Sequence, residues 1–236
     1  MPATLYTDLN MRVVAHRGFA SKYLENTITA LDEAVKVGAE MVEFDVQLTK
    51  DGVPIMIHDD NFKRTNGLDL SVFEINKKDL QNHVALKSVS SVEEVMVWLQ
   101  ANPKVTAFVE IKQQSILFHG LEKCMKALKE VCESAIAQCV LISFNPFAVE
   151  AAIKTGFRQT GWVVISYDVA GEKIARNINP NYLFADTEIL PEGKGKLWEG
   201  QWDWVIYEVV SKEVARKLHP RGVNIIETKE VEQMLS

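Results

Sequence analysis

Short runs of apolar, β-branched and aromatic residues recur along the chain, set between longer stretches whose apolar positions repeat every three to four residues. The runs predict strands over residues 12–16, 39–47, 53–58 and 105–111, then over 138–143, 161–165, 182–186, 203–207 and 222–227. Helical periodicity fills most of the intervals, as in NTITALDEAVKVG, SVEEVMVWLQA and ILFHGLEKCMKALKEVCESA. Only the turn around LTKDG separates 39–47 from 53–58, too little for the crossover that a parallel pair needs, so these two segments form an antiparallel hairpin. Setting the return strand aside leaves eight strands, each able to reach the next through a crossover, at about 29 residues per unit. The pattern predicts one (β/α)8 TIM-barrel domain over residues 1–236, with a hairpin extension after its second strand. The least regular stretch, 59–90, reads as an excursion over the barrel mouth.

Composition narrows the range of activities. Hydrophobic residues make up 47% of the 236 and charged residues 25%, values of a globular chain with a sizeable core. A net charge of −6 provides no global positive field, so nucleic acid is not an expected partner and any anionic ligand needs a local site. The three cysteines, Cys124, Cys132 and Cys139, have neither a CxxC spacing nor a neighbouring His, and read as reduced thiols, the first two on a helix. The opening MPATLYTDLNMR lacks a basic segment followed by an apolar one, and no window approaches 18 consecutive apolar residues. The expectation is a cytoplasmic protein without stable membrane insertion.

Two acids stand out on the second strand. Glu43 and Asp45 are two apart, so both carboxylates share one face while Val42, Phe44 and Val46 take the other. Glu110 and Lys112 repeat that spacing at the end of strand 105–111, where barrel active sites are built. Uncompensated anions are costly to cluster, so three carboxylates at one mouth call for a cation, and an all-oxygen ligand set selects a hard ion, Mg²⁺ or Ca²⁺. His16 closes the first strand, followed by Arg17. A hairpin turn centred on Lys50 and Asp51 sets His58 opposite Glu43, and one centred on Asp51 and Gly52 sets it opposite Asp45. Two imidazoles converging on the same carboxylates fit an acid–base pair, whereas His83, His119 and His219 show no such convergence. The set suits phosphoryl transfer at a phosphodiester: an ion polarises the phosphoryl oxygen, Arg17 and Lys112 neutralise the remaining charge, and His16 and His58 move protons. EGKGK at 192–196 lacks the spacing of a phosphate-cradling loop, and in SFNP Asn145 and Pro146 read as a helix start.

The run VVAHRGFASKYLENTITALDEAVKVGAEMVEFDVQLTKDGVPIMIHDDNFKRTNG resembles the N-terminal signature of the glycerophosphodiester phosphodiesterase family, from its HRG and ENT elements through E-x-D and TKDG to HD and RT. VSSVEEVM, VEIK at 109–112 and SFNP resemble later segments of that family, in the same order. The resemblance implies a TIM-barrel hydrolase that takes a small-molecule glycerophosphodiester and releases an alcohol and glycerol 3-phosphate. It implies His16 and His58 as the acid–base pair, Glu43, Asp45 and Glu110 as ligands of one divalent cation, and Arg17 and Lys112 as phosphate contacts. Leu24 departs from the usual Pro, and the last strand has Ile225, Ile226 and Glu227 where a Trp and a nearby Asn are usual, so Glu227 would bring an extra negative charge to the mouth. Two other readings are a lysophospholipase D-type phosphodiesterase, which exposed aromatics such as Trp198, Trp202 and Trp204 would favour, and a barrel that binds a phosphodiester without turning it over.

Overall fold

The computed structural model describes residues 11–236, so the opening residues read above for a targeting segment lie outside the described residues, apart from Met11 and Arg12. The described residues form nine strands: β1 (Arg12–Ala15), β2 (Met41–Leu48), β3 (Pro54–Met56), β4 (Thr106–Ile111), β5 (Cys139–Ser143), β6 (Gln159–Val163), β7 (Tyr182–Asp186), β8 (Asp203–Tyr207) and β9 (Val223–Thr228). The helices that carry the argument are α1 (Ile28–Lys36), α2 (Val92–Ala101), α3 (Gln113–His119), α4 (Leu121–Cys132), α5 (Pro146–Thr155), α6 (Val169–Ile178) and α7 (Lys212–Leu218). Eight strands run parallel in the order β1, β2, β4, β5, β6, β7, β8, β9, and the β9–β1 and β1–β2 ladders close the ring. Only β3 is antiparallel, bonded to the end of β2 outside the ring. This is the expected barrel with its hairpin extension.

The interior is packed, as the alternation along each strand demands. Val14, Met41, Phe108, Val140, Ile142, Val163, Tyr182, Phe184, Val205 and Ile225 fill the barrel, with Phe108 edge-on to both Tyr182 and Phe184 at 5.1 Å. Gly161 makes this filling possible, since a side chain there would meet Ile142 at 2.9 Å and Phe184 at 3.1 Å. The opposite faces pack under the helices, as Val42, Phe44, Val46 and Val109 do beneath Leu31, Met96 and Leu128. Helix starts follow local rules. Asn145 caps α5 by accepting from the Phe147 amide at 2.9 Å with Pro146 at the first position, and Ser91 and Glu94 form a reciprocal box on α2. Cys124 and Cys132 lie on α4, and all three cysteines are free and buried.

The hairpin register differs from both expected alternatives. Val46 pairs with Met56 and Leu48 with Pro54, which sets Phe44, not Glu43 or Asp45, in line with His58. The reason is the connection: Thr49 to Val53 form a longer loop, closed by the Thr49 amide on the Val53 carbonyl at 3.0 Å, instead of a two-residue turn. The ladder ends at Met56, but the Ile57 amide still donates to the Asp45 carbonyl at 3.0 Å, which delivers His58 to the rim beside the acidic pair. Residues 59–90 form an excursion of short helical turns around their own core of Ile55, Ile57, Phe62, Val72, Ile75, Leu80 and Leu86. Trp202 and Trp204 are buried and donate to the Trp198 carbonyl, while Trp198 stacks on Tyr167 at 4.2 Å, so the tryptophans belong to the core and not to an exposed rim.

Candidate active site

The polar rim continues the faces that fill the barrel. His16 follows Val14, Glu43 and Asp45 follow Met41, Glu110 and Lys112 follow Phe108, and Glu227 follows Ile225, each in steps of two and each at the C-terminal end of its strand. Parallel register levels them, with Asp45 beside Glu110. Glu43, Asp45 and Glu110 each bring a carboxylate oxygen within 4.8 Å of the other two. The three proposed ligands therefore converge, as the strand spacing predicts.

Asp45 is the hub. Its side chain is 1% exposed, takes a hydrogen bond from Asn26 Nδ2 at 2.8 Å and from Lys112 Nζ at 3.1 Å, and lies 3.1 Å from Arg17 Nε. Lys112 also donates to Glu110 Oε1 at 2.6 Å. The Arg17 backbone amide donates to Glu43 Oε2 at 2.9 Å, and its guanidinium donates to Glu25 Oε1 at 2.9 Å. This aim depends on an unusual turn. Arg17 and Gly18 both hold positive φ, 56° and 77°, and a Cβ on Gly18 would come within 2.6 Å of the Ala30 backbone on α1. The HRG sequence thus presses the first helix against the turn that points Arg17 at the acids.

The imidazoles stand on either side of this cluster. His16 is 8% exposed, with Nε2 3.9 Å from Glu43 Oε2 and Nδ1 3.6 Å from Glu208 Oε1. His58 is partly exposed, with Nδ1 2.6 Å from Asp59 Oδ1, and Asp59 is in turn held by Arg64 Nε at 2.7 Å. Its ring charge is close enough to Asp45 for each to shift the other's proton affinity. His83 and His219 are exposed, and His119 sits beside Lys123, away from the rim.

Burial sets the electrostatics. It lowers His16 to about 3, with Arg17 adding to the effect, and it also lowers His58, so both rings are neutral at pH 7. Burial raises Glu110 to about 7 against the pull of Lys112, and it raises Glu43 and Glu227, whose neighbours are other carboxylates. Asp45 is the exception: burial pushes it up, but Lys112, Arg17 and His58 outweigh that and hold it below the ordinary carboxylate range. With all three ionised, the proposed ligands Glu43, Asp45 and Glu110 outnumber the cations Arg17 and Lys112 beside them by one negative charge. Glu43 Oε1 is buried without a hydrogen-bond partner. An excess of buried anion with an orphaned oxygen at its centre fits a divalent cation held by Glu43, Asp45 and Glu110.

The same shifts predict a pH dependence in EDTA. A carboxyl with a raised folded pKa stabilises the fold most below its unfolded value and loses that contribution as pH rises through the folded one. Three acids, Glu43, Glu110 and Glu227, act in this sense, and for Glu110 the window runs from 4.5 to about 7. His16 and His58 act oppositely, since a lowered pKa makes the folded state lose stability as pH falls below 6.5, but they are two groups against three. The thermal midpoint of the cation-free protein is therefore expected to fall between pH 5 and 7.5, and millimolar Mg²⁺ to raise it more at 7.5 than at 5. A midpoint that rises over this interval in EDTA would contradict the charge arrangement.

Some residues of the site are not evident from strand spacing. Asn26 lies outside any strand, has φ 54°, and clamps Asp45 from both sides, donating from Nδ2 and accepting the Asp45 amide on Oδ1 at 3.0 Å. Its ENT context was the available signal. Asn26→Ala is expected to keep the fold and lower cation affinity about 10- to 100-fold, the scale for losing an outer partner of a ligand, as measured by calorimetric Ca²⁺ titration. Glu25, Asp59 and Arg64 form a second bracket, with Arg64 donating to Glu25 Oε1 at 2.7 Å. Tyr207 and Glu208, on and just after β8, complete the rim on the side of His16.

A barrel whose mouth gathers four buried acids, two cations and two imidazoles suits a cation-assisted acid–base enzyme for an anionic ester. The chain belongs to the glycerophosphoryl diester phosphodiesterase family, whose model matches residues 16–169. It is 30% identical over 240 residues to a glycerophosphodiester phosphodiesterase of Caldanaerobacter subterraneus subsp. tengcongensis, covering 95% of this chain and 96% of that one. It is also 36% identical over 77 residues to a human lysophospholipase D, covering 33% of this chain and 24% of the relative. Among solved structures, an Oleispira antarctica phosphodiesterase in complex with the product sn-glycerol-3-phosphate shares the fold at TM-score 0.78 and 20% identity, over 94% of both chains. A Thermotoga maritima glycerophosphodiester phosphodiesterase shares it at TM-score 0.73 and 21% identity, over 94% of this chain and 96% of that one.

Proposed function

We propose that this protein hydrolyses glycerophosphodiesters to an alcohol and glycerol 3-phosphate, with Glu43, Asp45 and Glu110 holding one hard divalent cation, Mg²⁺ or Ca²⁺. The observation that carries the reading is the meeting of those three carboxylates within 4.8 Å beside Arg17 and Lys112. When bound, the cation polarises a phosphoryl oxygen and offsets charge that builds on it. Arg17 and Lys112 neutralise the rest of the phosphodiester anion, and Lys112, ion-paired to both Asp45 and Glu110, is held from two sides for that task. One imidazole of the His16–His58 pair takes the proton from the entering oxygen, and the other returns a proton to the leaving alcohol oxygen. Burial supports the accepting half of this division, because a ring kept neutral at pH 7 is competent to take a proton.

We read the whole chain, 1–236, as one catalytic domain. Among the described residues no helix is long and apolar enough to cross a membrane. The three buried, unpaired cysteines favour the cytoplasm as its compartment. The test is a product assay: with Mg²⁺ or Ca²⁺ present, glycerophosphocholine and glycerophosphoethanolamine are expected to release glycerol 3-phosphate, and EDTA to stop the release reversibly. Release of glycerol together with phosphocholine or phosphoethanolamine as primary products, or undiminished turnover in EDTA, would refute the reading.

A second reading, lysophospholipase D-type action on lysophospholipids, is favoured by a different observation. Phe147, Ile165, Val169 and Val210 all follow C-terminal strand ends, at the mouth, and are 59–85% exposed. Lysophosphatidylcholine turned over with a higher kcat/KM than glycerophosphocholine would establish it, and the reverse order would dismiss it.

A further inference from the structure

Among the described residues, five buried side-chain nitrogen or oxygen atoms lack a hydrogen-bond partner, and three of them, His16 Nδ1, Glu43 Oε1 and Glu227 Oε1, sit on side chains of one cluster, in which His16 Nε2 lies 3.9 Å from Glu43 and Nδ1 3.6 Å from Glu208. His16, Glu43 and Glu227 each bring a ligand atom within 4.8 Å of the other two, and all three side chains are buried. The cluster shares Glu43 with the Glu43–Asp45–Glu110 triad but lies on its other side, built from β1, β2 and β9 where the first is built from β2 and β4. Strand register produces it: Glu227 pairs with Val14, and the His16 amide donates to the Thr228 carbonyl at 2.9 Å, so the two side chains rise side by side.

The two triads differ in chemistry. Three oxygens suit Mg²⁺ or Ca²⁺, whereas one imidazole nitrogen with two carboxylates suits a borderline transition ion such as Zn²⁺. We propose that His16, Glu43 and Glu227 form a second, inhibitory site for a Zn²⁺-class ion, with Glu43 shared between the two ions. Occupancy ties up the His16 nitrogen lone pair and so removes that ring from proton transfer. Glu227 has no task in the hydrolysis itself and serves only this second site. The inhibitory half of the proposal rests on the acid–base reading of His16; the binding half does not.

The experiment is a calorimetric titration of ZnCl₂ into the enzyme kept in millimolar Mg²⁺, with the bound Mg²⁺ measured on the same equilibrated samples. One equivalent of Zn²⁺ is expected to bind with Mg²⁺ retained, and hydrolysis to fall with the same midpoint. Glu227→Gln is expected to weaken Zn²⁺ binding and the inhibition together, by at least about tenfold, while turnover in Mg²⁺ alone stays within about threefold. Glu227→Thr provides the same comparison should the amide variant fold poorly. Release of Mg²⁺ in step with Zn²⁺ uptake, or Zn²⁺ affinity unchanged in both variants, overturns the site. Glu227-dependent Zn²⁺ binding by an enzyme that shows no phosphodiester hydrolysis supports the site and instead refutes the proposed function.

Discussion

His58→Ala is expected to lower kcat for glycerophosphodiester hydrolysis by about 10²- to 10⁴-fold, the range for losing a positioned acid or base, and to leave KM within a few-fold. The split follows from where the ring sits. His58 is not among the buried side chains that fill the barrel, and it makes no hydrogen bond to the acids proposed to hold the cation, so its loss would remove the proposed proton carrier without dismantling the site. Its partner explains its readiness. Asp59 accepts from Nδ1 at 2.6 Å, which leaves the Nε2 lone pair free, and Arg64 fixes Asp59 from the far side. His16→Ala is expected to lose kcat on the same scale. The check is steady-state kinetics with glycerophosphocholine in saturating Mg²⁺, and a His58→Ala enzyme that keeps half its turnover would remove the residue from the chemistry.

Asp45→Ala has the larger effect expected of any single change, because it acts on structure and chemistry together. Removing this carboxylate would strip a proposed ligand from the cation and leave Lys112, which is buried, and Arg17, which is partly buried, facing fewer anions. Breaking a buried ion pair on one side costs about 3–5 kcal/mol, and the loss of cation stabilisation adds a further fall in rate of about 10³-fold or more. Asp45→Asn separates the two effects: it keeps the shape that Asn26 grips and is expected to recover much of the thermal stability, but not Ca²⁺ binding or activity. Thermal unfolding and Ca²⁺ calorimetry on both variants test this. An Asp45→Asn enzyme that binds Ca²⁺ like the parent would exclude Asp45 as a ligand.

The legible part of this site was the part written in strand periodicity. Glu43, Asp45, Glu110 and Lys112 stand two apart on strands whose other face is apolar, so their shared orientation followed from alternation alone, and their height followed from lying at strand ends. The barrel itself was legible because eight apolar runs alternate with helical stretches and one connection is too short for a crossover. What spacing could not supply came from loops. The hairpin register turns on whether Thr49 to Val53 fold as a tight turn or a wider loop, a choice of hydrogen bonds that composition leaves open. Asn26 contributes through a left-handed backbone conformation far from any strand, and Arg64 through an excursion whose short helical turns pack on their own small core. Glu227 was visible as an extra charge, but its burial beside His16 required the β9–β1 register.

The central claim is that one hard cation sits among Glu43, Asp45 and Glu110. A crystal of the protein equilibrated with Ca²⁺, with anomalous diffraction recorded at long wavelength, tests it most directly. The account predicts a calcium peak at about 2.3–2.6 Å from one oxygen of each of the three carboxylates, with His58 on the open side of the ion. A peak that any of the three fails to reach, or calcium bound only elsewhere on the molecule, would contradict it.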